Sequence, residues 1–198
     1  WGIDRGTIPA ITREFRFKPY AKQNMLVYSQ NDEDDRALTL IAVEHTGSYS
    51  GSIEFGRMVV SYGRAKGSSE NGLPITASTG WVPLYNGEYW NVRYYYTTTG
   101  DHYNTGSNTN TTYNLQVENA SDLTDGKINF SSSLSITPSN TGHYQMWSNT
   151  SAGADSGNTV YIGASTSSND SAYNVETYMT NFLGAKAATF SGSMQEYR

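Results

Sequence analysis

The sequence predicts an all-β fold, an antiparallel two-sheet β-sandwich, and three observations predict it. Short runs of β-branched and aromatic residues, bounded by Gly, Asn, Asp, Ser and Pro, recur along the chain at the spacing of a sandwich or barrel. Only one window carries helical periodicity. The length of 198 residues also suits one large all-β domain. Hydrophobic residues make up only 36%, yet 16 Tyr, 4 Trp and 6 Phe supply a core. A disordered chain would combine few aromatics with high net charge.

Taken in order, run 14–20 alternates Phe15 and Phe17 against Arg16 and Lys18, the two-residue period of a half-buried strand. Runs 25–29 and 37–44 follow, separated by the polar stretch 30–36. Runs 52–55 and 58–62 flank Gly56, where we expect a hairpin or a bulge. Run 90–97 places Trp90, Val92, Tyr94 and Tyr96 on one face, and run 112–118 does the same with Tyr113, Leu115 and Val117. Runs 127–130, 133–137, 143–147, 159–163 and 191–197 complete the set. Window 174–184 has Val175, Tyr178, Met179 and Phe182 at helical spacing before Gly184. It reads equally as a short helix or an irregular strand. Each strand is expected to bury one face and leave the other to solvent. The lack of a fixed-period repeat argues against a propeller or solenoid.

Charge narrows the function classes. The net charge is −5. Residues 1–99 hold ten Lys/Arg and ten Asp/Glu, while residues 100–198 hold three and eight. That balance offers no general basic patch, so nucleic acid is not an expected partner. No apolar stretch approaches the roughly 18–20 residues that cross a bilayer, so membrane insertion is not expected either. With no Cys, disulfides, thiolate metal sites and Cys nucleophiles fall away. The composition shift near Gly100 resembles a domain boundary, but strand-like runs continue across it. We therefore expect one domain over residues 1–198, with 1–13 as a lead-in or linker.

Several segments together resemble a known family. Glu14-Phe15-Arg16-Phe17-Lys18 looks like a first sandwich strand, and Met25-Leu26-Val27-Tyr28-Ser29 and Gly51-Ser52-Ile53-Glu54-Phe55 look like short meander strands. Gly87-Glu88-Tyr89-Trp90-Asn91-Val92 is similar to a turn glycine leading into a Trp-x-Val strand. Val160-Tyr161-Ile162-Gly163 followed by Phe190-Ser191-Gly192-Ser193-Met194-Gln195-Glu196-Tyr197-Arg198 is the most telling pair. The order resembles the concanavalin A-like lectin/glucanase superfamily, and within it the laminin-G-like jelly-roll domains of phage virion and bacterial surface proteins. The resemblance implies a non-catalytic binding or structural module of a larger extracellular or virion surface assembly. Its work would be attachment or assembly contacts, with glycans or other protein subunits as partners and self-assembly among the options. A carbohydrate-binding lectin, calcium-dependent or not, is the alternative, and a glycoside hydrolase the second alternative. Trp1 in place of Met, and an end at Arg198 where such domains continue, lead us to expect a piece of a longer chain.

The chemistry-bearing residues are sparse. Retaining glycoside hydrolysis wants two carboxyls about 5 Å apart, which the superfamily's glucanases supply as E-x-D-x-x-E on one strand. That spacing is absent here, so an enzyme is not expected. The acidic run Asp32-Glu33-Asp34-Asp35 sits in an expected loop. Asp32, Asp34 and Asp35 would suit Ca2+, a hard cation that takes several oxygens. They serve equally as a solvated loop that discourages edge pairing. His45, His102 and His143 are far apart and lack ligand spacing. No G-x-S-x-G, P-loop or G-x-G-x-x-G occurs. For sugar stacking, loop aromatics Tyr85, Tyr103 and Trp147 have Asn86, Asn104 and Asn149 beside them. The same Tyr, Asn, Ser and Gly surface also serves protein binding.

Overall fold

Two sheets face each other across an apolar core in the computed structural model, which describes residues 10–31, 37–50, 53–62, 75–99, 110–119, 131–136, 159–164 and 175–196. In chain order the elements are β1 (Ala10–Pro19), β2 (Met25–Asn31), β3 (Ala37–Ser50), β4 (Ile53–Tyr62), β5 (Ile75–Ser78), β6 (Trp90–Thr99), β7 (Asn110–Asn119), β8 (Ser131–Ile136), β9 (Thr159–Ile162), α1 (Val175–Leu183), β10 (Ala188–Thr189) and β11 (Gly192–Gln195). The five-stranded sheet runs β11-β1-β6-β7-β8, antiparallel throughout. The six-stranded sheet runs β2-β3-β4-β5, and β9 and β10 share the free side of β2. There β9 pairs antiparallel with residues 28–31, and the two-residue β10 pairs parallel with Met25 and Leu26. The predicted all-β, two-sheet sandwich is the observed architecture.

Alternation builds the core. The first sheet contributes Phe15, Phe17, Trp90, Val92, Tyr94, Tyr113, Leu115 and Val117. The second contributes Val27, Tyr28, Ile41, Val43, Met58 and Val60. Each such side chain gains about 1.5–3 kcal/mol from leaving water. Trp90, Tyr28, Tyr94 and Tyr113 are the bulkiest fully buried groups, so aromatic volume compensates for the low aliphatic content.

The second sheet departs from the expected solvated outer face. Leu26, Leu40, Ala42 and Val59 lie in a separate buried cluster with Met179 of α1, flanked by Leu183 and Ala187. The runs Met25-Leu26-Val27-Tyr28 and Leu40-Ile41-Ala42-Val43 are apolar without alternation. Burial on both faces is what such runs require. Val175–Leu183 of that window is accordingly a helix and not an irregular strand, because that face needs a lid. Glu176 in its first turn complements the positive end of the helix dipole and pairs with Lys186 at 2.6 Å.

Other elements also shift. Gly56 marks neither a hairpin nor a bulge: β4 runs through it. A Cβ there would stand 2.9 Å from Leu84 Cδ2, and the Gly56 backbone exchanges two 2.9 Å hydrogen bonds with Val82. The glycine therefore admits the 82–84 segment against β4. The irregularity falls on β3, where register shifts between His45 and Tyr49. β1 begins at Ala10, inside the expected lead-in. The composition shift near Gly100 falls between β6 and β7, which pair along their length. Runs 127–130 and 143–147 lie outside the described residues.

Leu115 is fully buried between the sheets. Leu115→Ala is expected to lower the unfolding free energy by about 2–5 kcal/mol, measured by urea denaturation. An unchanged midpoint would contradict its place in the core.

Candidate functional site

The alternation that buries Phe15, Phe17, Trp90, Val92, Leu115 and Val117 sends their neighbours to the opposite face of the five-stranded sheet. Register then sets those neighbours in rows across the strands. One row reads Gln195, Arg16, Asn91, Glu118, Ser131, and the next reads Glu14, Arg93, Gln116, Ser133. A groove of about 310 Å³ opens on this face, lined by Glu14, Phe15, Arg16, Asn91, Val92, Arg93, Gln116, Glu118 and Glu196. That is the small end of the range for ligand clefts, roughly 300–1,000 Å³.

Two arginine–glutamate pairs frame the groove. Arg16 Nη1 lies 3.4 Å from Glu196 Oε1, and Arg93 Nε lies 3.4 Å from Glu14 Oε1. Each guanidinium rests over a tyrosine ring, Arg16 over Tyr89 at 5.5 Å and Arg93 over Tyr95 at 5.1 Å. Lys18 Nζ also lies 6.0 Å from the Tyr89 ring. Gln195 Nε2 donates to the Tyr89 hydroxyl at 3.0 Å. Exposed ion pairs of this kind contribute at most about 1 kcal/mol to stability. Their consequence is placement: stacking and pairing fix the direction of two long side chains. Arg16 Nε is buried without a hydrogen-bond partner, a desolvation cost that the stacked side chain carries. Glu196 sits at φ 54°, the one non-glycine positive φ among the described residues. That conformation costs an L-residue about 1–2 kcal/mol, and such strain concentrates at functional positions.

A second cluster occupies the end of the β3–β4 ladder. Glu54 is 6% exposed and accepts hydrogen bonds from Lys22 Nζ at 2.6 Å and from His45 Nε2. A carboxylate has no proton to give, so Nε2 of His45 carries the hydrogen. The Lys22 hydrogen bond is the largest influence on Glu54; with the His45 bond it outweighs burial and holds the carboxyl below its usual range. The Tyr85 ring stands edge-on to His45 at 5.2 Å, and its hydroxyl donates to the Gln23 carbonyl at 3.3 Å. Burial, then the Glu54 charge, pushes the Tyr85 phenol well up. Asn24 Oδ1 accepts from the His45 amide at 2.9 Å. These contacts tie residues 22–24 and the turn at 85 to the sheet.

Of the residues singled out in the sequence, Tyr85 belongs to this second cluster. Asn86 Oδ1 accepts from the Glu88 amide at 3.0 Å, shaping the turn into β6. Neither lines the groove. Tyr103, Asn104, Trp147 and Asn149 lie outside the described residues, as do Asp32, Asp34 and Asp35, and His102 and His143. Among the described residues no group of three His, Cys, Asp or Glu could hold a metal ion. The groove residues were legible only as an outward face: Arg16 and Lys18 alternate with Phe15 and Phe17. Their meeting with Arg93, Glu118 and Glu196 depends on long-range register. His45 pairs with Gly56, and Glu54, two residues along β4, is its diagonal neighbour on the same face.

Glu54 gives a pH prediction. Its folded pKa lies below the ordinary 4.5, so its stabilisation is complete above the unfolded value and is lost as pH falls through the folded one. Glu54→Gln is expected to be less stable than the native chain near neutral pH, with the two curves converging below the ordinary carboxyl range. Denaturation midpoints across pH check this, and a gap that persists in acid would contradict it.

No protein-family model matches the chain, and no curated protein or solved structure matches it either; what the chain does is therefore argued from the groove itself.

Proposed function

We propose that this chain is a non-catalytic, carbohydrate-binding module whose site is the groove on the five-stranded sheet. One observation carries the reading: two arginine–glutamate pairs, each with its guanidinium over a tyrosine ring, line a groove on an open sheet face. Sugar hydroxyls both donate and accept, so a lining of guanidinium, carboxylate and amide groups matches them. Glu14 and Glu196 are engaged by arginines. Glu118 lies two strands and one row from Glu14, a Cα separation of roughly 12 Å from strand spacing. That arrangement favours binding over hydrolysis. The laminin-G-like resemblance fits the same role, attachment within a larger extracellular or virion surface assembly.

A second reading, assembly contacts with another protein, draws on a different patch. Trp81 and Phe182 are 43% and 40% exposed, and Arg57 lies 4.5 and 5.4 Å from their rings. Tryptophan and arginine are the residues protein interfaces favour.

A broad glycan array, run with calcium and again with chelator, tests the proposal. Binding is expected and is expected to survive the chelator, because Arg16 and Arg93 supply the cationic contacts. Arg93→Gln should weaken it about tenfold or more, with the circular dichroism spectrum unchanged. Loss of binding in chelator would move the site to Asp32, Asp34 and Asp35. No binding in either condition would overturn the proposal.

A further inference from the structure

We infer that the groove selects neutral glycans and rejects acidic ones, an inference that rests on the carbohydrate reading above. The lining carries three carboxylates, Glu14, Glu118 and Glu196, against two guanidinium groups, Arg16 and Arg93, an excess of one negative charge among the lining residues, with Lys18 over the Tyr89 ring outside that lining. The whole chain carries −5, so the distant field adds to that repulsion instead of offsetting it.

The pairing chemistry points the same way. Each arginine–glutamate pair presents donors and acceptors side by side at 3.4 Å. A vicinal diol presents the complement, since one hydroxyl can accept from the guanidinium while its neighbour donates to the carboxylate. Two pairs, Arg93–Glu14 between β6 and β1 and Arg16–Glu196 between β1 and the residue after β11, would read two such diols along a chain of sugars. A sulfate or uronate group can only accept. It would compete with Glu14 or Glu196 for the arginine, strip that glutamate of its counter-charge, and meet Glu118. Glu118 has no ion-pair partner among the described residues. The tyrosines add nothing that favours an anion, because the negative ring faces of Tyr89 and Tyr95 already hold the cations.

The test measures binding of laminarin, mannan and xylan, as neutral polymers, against heparin and alginate. Affinity electrophoresis and calorimetry are run at roughly 50 and 500 mM NaCl. At least one neutral polymer is expected to bind, with its affinity changing less than about twofold between the two salts. Heparin and alginate are expected to bind about tenfold or more weakly than that polymer. Glu118→Gln should raise heparin affinity by about threefold or more at low salt. Acidic polymers bound as tightly as the neutral ones, through a groove that Arg93→Gln inactivates, would overturn the selectivity and leave the site standing. Unchanged heparin affinity in Glu118→Gln would also overturn it. Binding of no polymer in either class would overturn the carbohydrate reading and the selectivity together.

Discussion

Burial of one face of the five-stranded sheet dictates what stands on the other. Phe15 and Phe17 on β1, Trp90, Val92 and Tyr94 on β6, and Tyr113, Leu115 and Val117 on β7 are all at most 2% exposed. Because side chains alternate with a period of two, a slip of one residue on any of these strands would drive a charge into the core. The inner face therefore fixes register, and register brings Glu14, Arg16, Asn91, Arg93, Gln116 and Glu118 together on the outer one. No direct attraction among those polar groups is needed to assemble the groove. Their mutual ion pairs are too exposed to hold strands in place.

The two sheets use the same rule to opposite ends. On the six-stranded sheet the outer face is apolar, and α1 closes it through Met179 over Leu26, Leu40, Ala42 and Val59. Where that lid ends, Arg57 pairs with Glu44 at 2.6 Å and meets Trp81 and Phe182, linking β3, β4, the helix and the segment after β5. The five-stranded sheet presents instead a polar outer face with a groove open on it. Its edge is set by β11: a Cβ at Gly192 would run into the Lys18 carbonyl, so only glycine lets β11 approach β1 this closely. That approach carries Glu196 to Arg16, a contact between residues 180 positions apart in the chain.

Much of the architecture was legible because alternation is a local signal. The strands at 14–20, 90–97 and 112–118 and their buried faces could be read directly, since Phe-x-Phe, Trp-x-Val-x-Tyr and Tyr-x-Leu-x-Val state the period themselves. The non-alternating runs around Met25 and Leu40 were expected, like the others, to leave one face to solvent, whereas α1 covers that face. Gly56 misled because glycine serves both turns and close backbone approach, and only the position of Leu84 distinguishes them. The groove was least legible. Arg16 stood out only as the outward side of an alternating strand, and no local pattern says that strands so far apart in sequence will set it near Arg93. The His45–Glu54 contact was hidden for a related reason: it depends on the β3–β4 pairing that sets His45 opposite Gly56, which no residue type announces.

The ligand site that we propose lies on the outward face of the five-stranded sheet. Titrating the 15N-labelled chain with a neutral oligosaccharide and following amide and arginine side-chain resonances tests it most directly. Shifts are expected to concentrate at Arg16, Asn91, Arg93, Gln116 and Glu118, with Tyr85, Asn86 and the Trp81 indole unmoved. Shifts centred on Trp81 and Phe182, or on residues away from this sheet, with Arg16 and Arg93 unmoved, would contradict it.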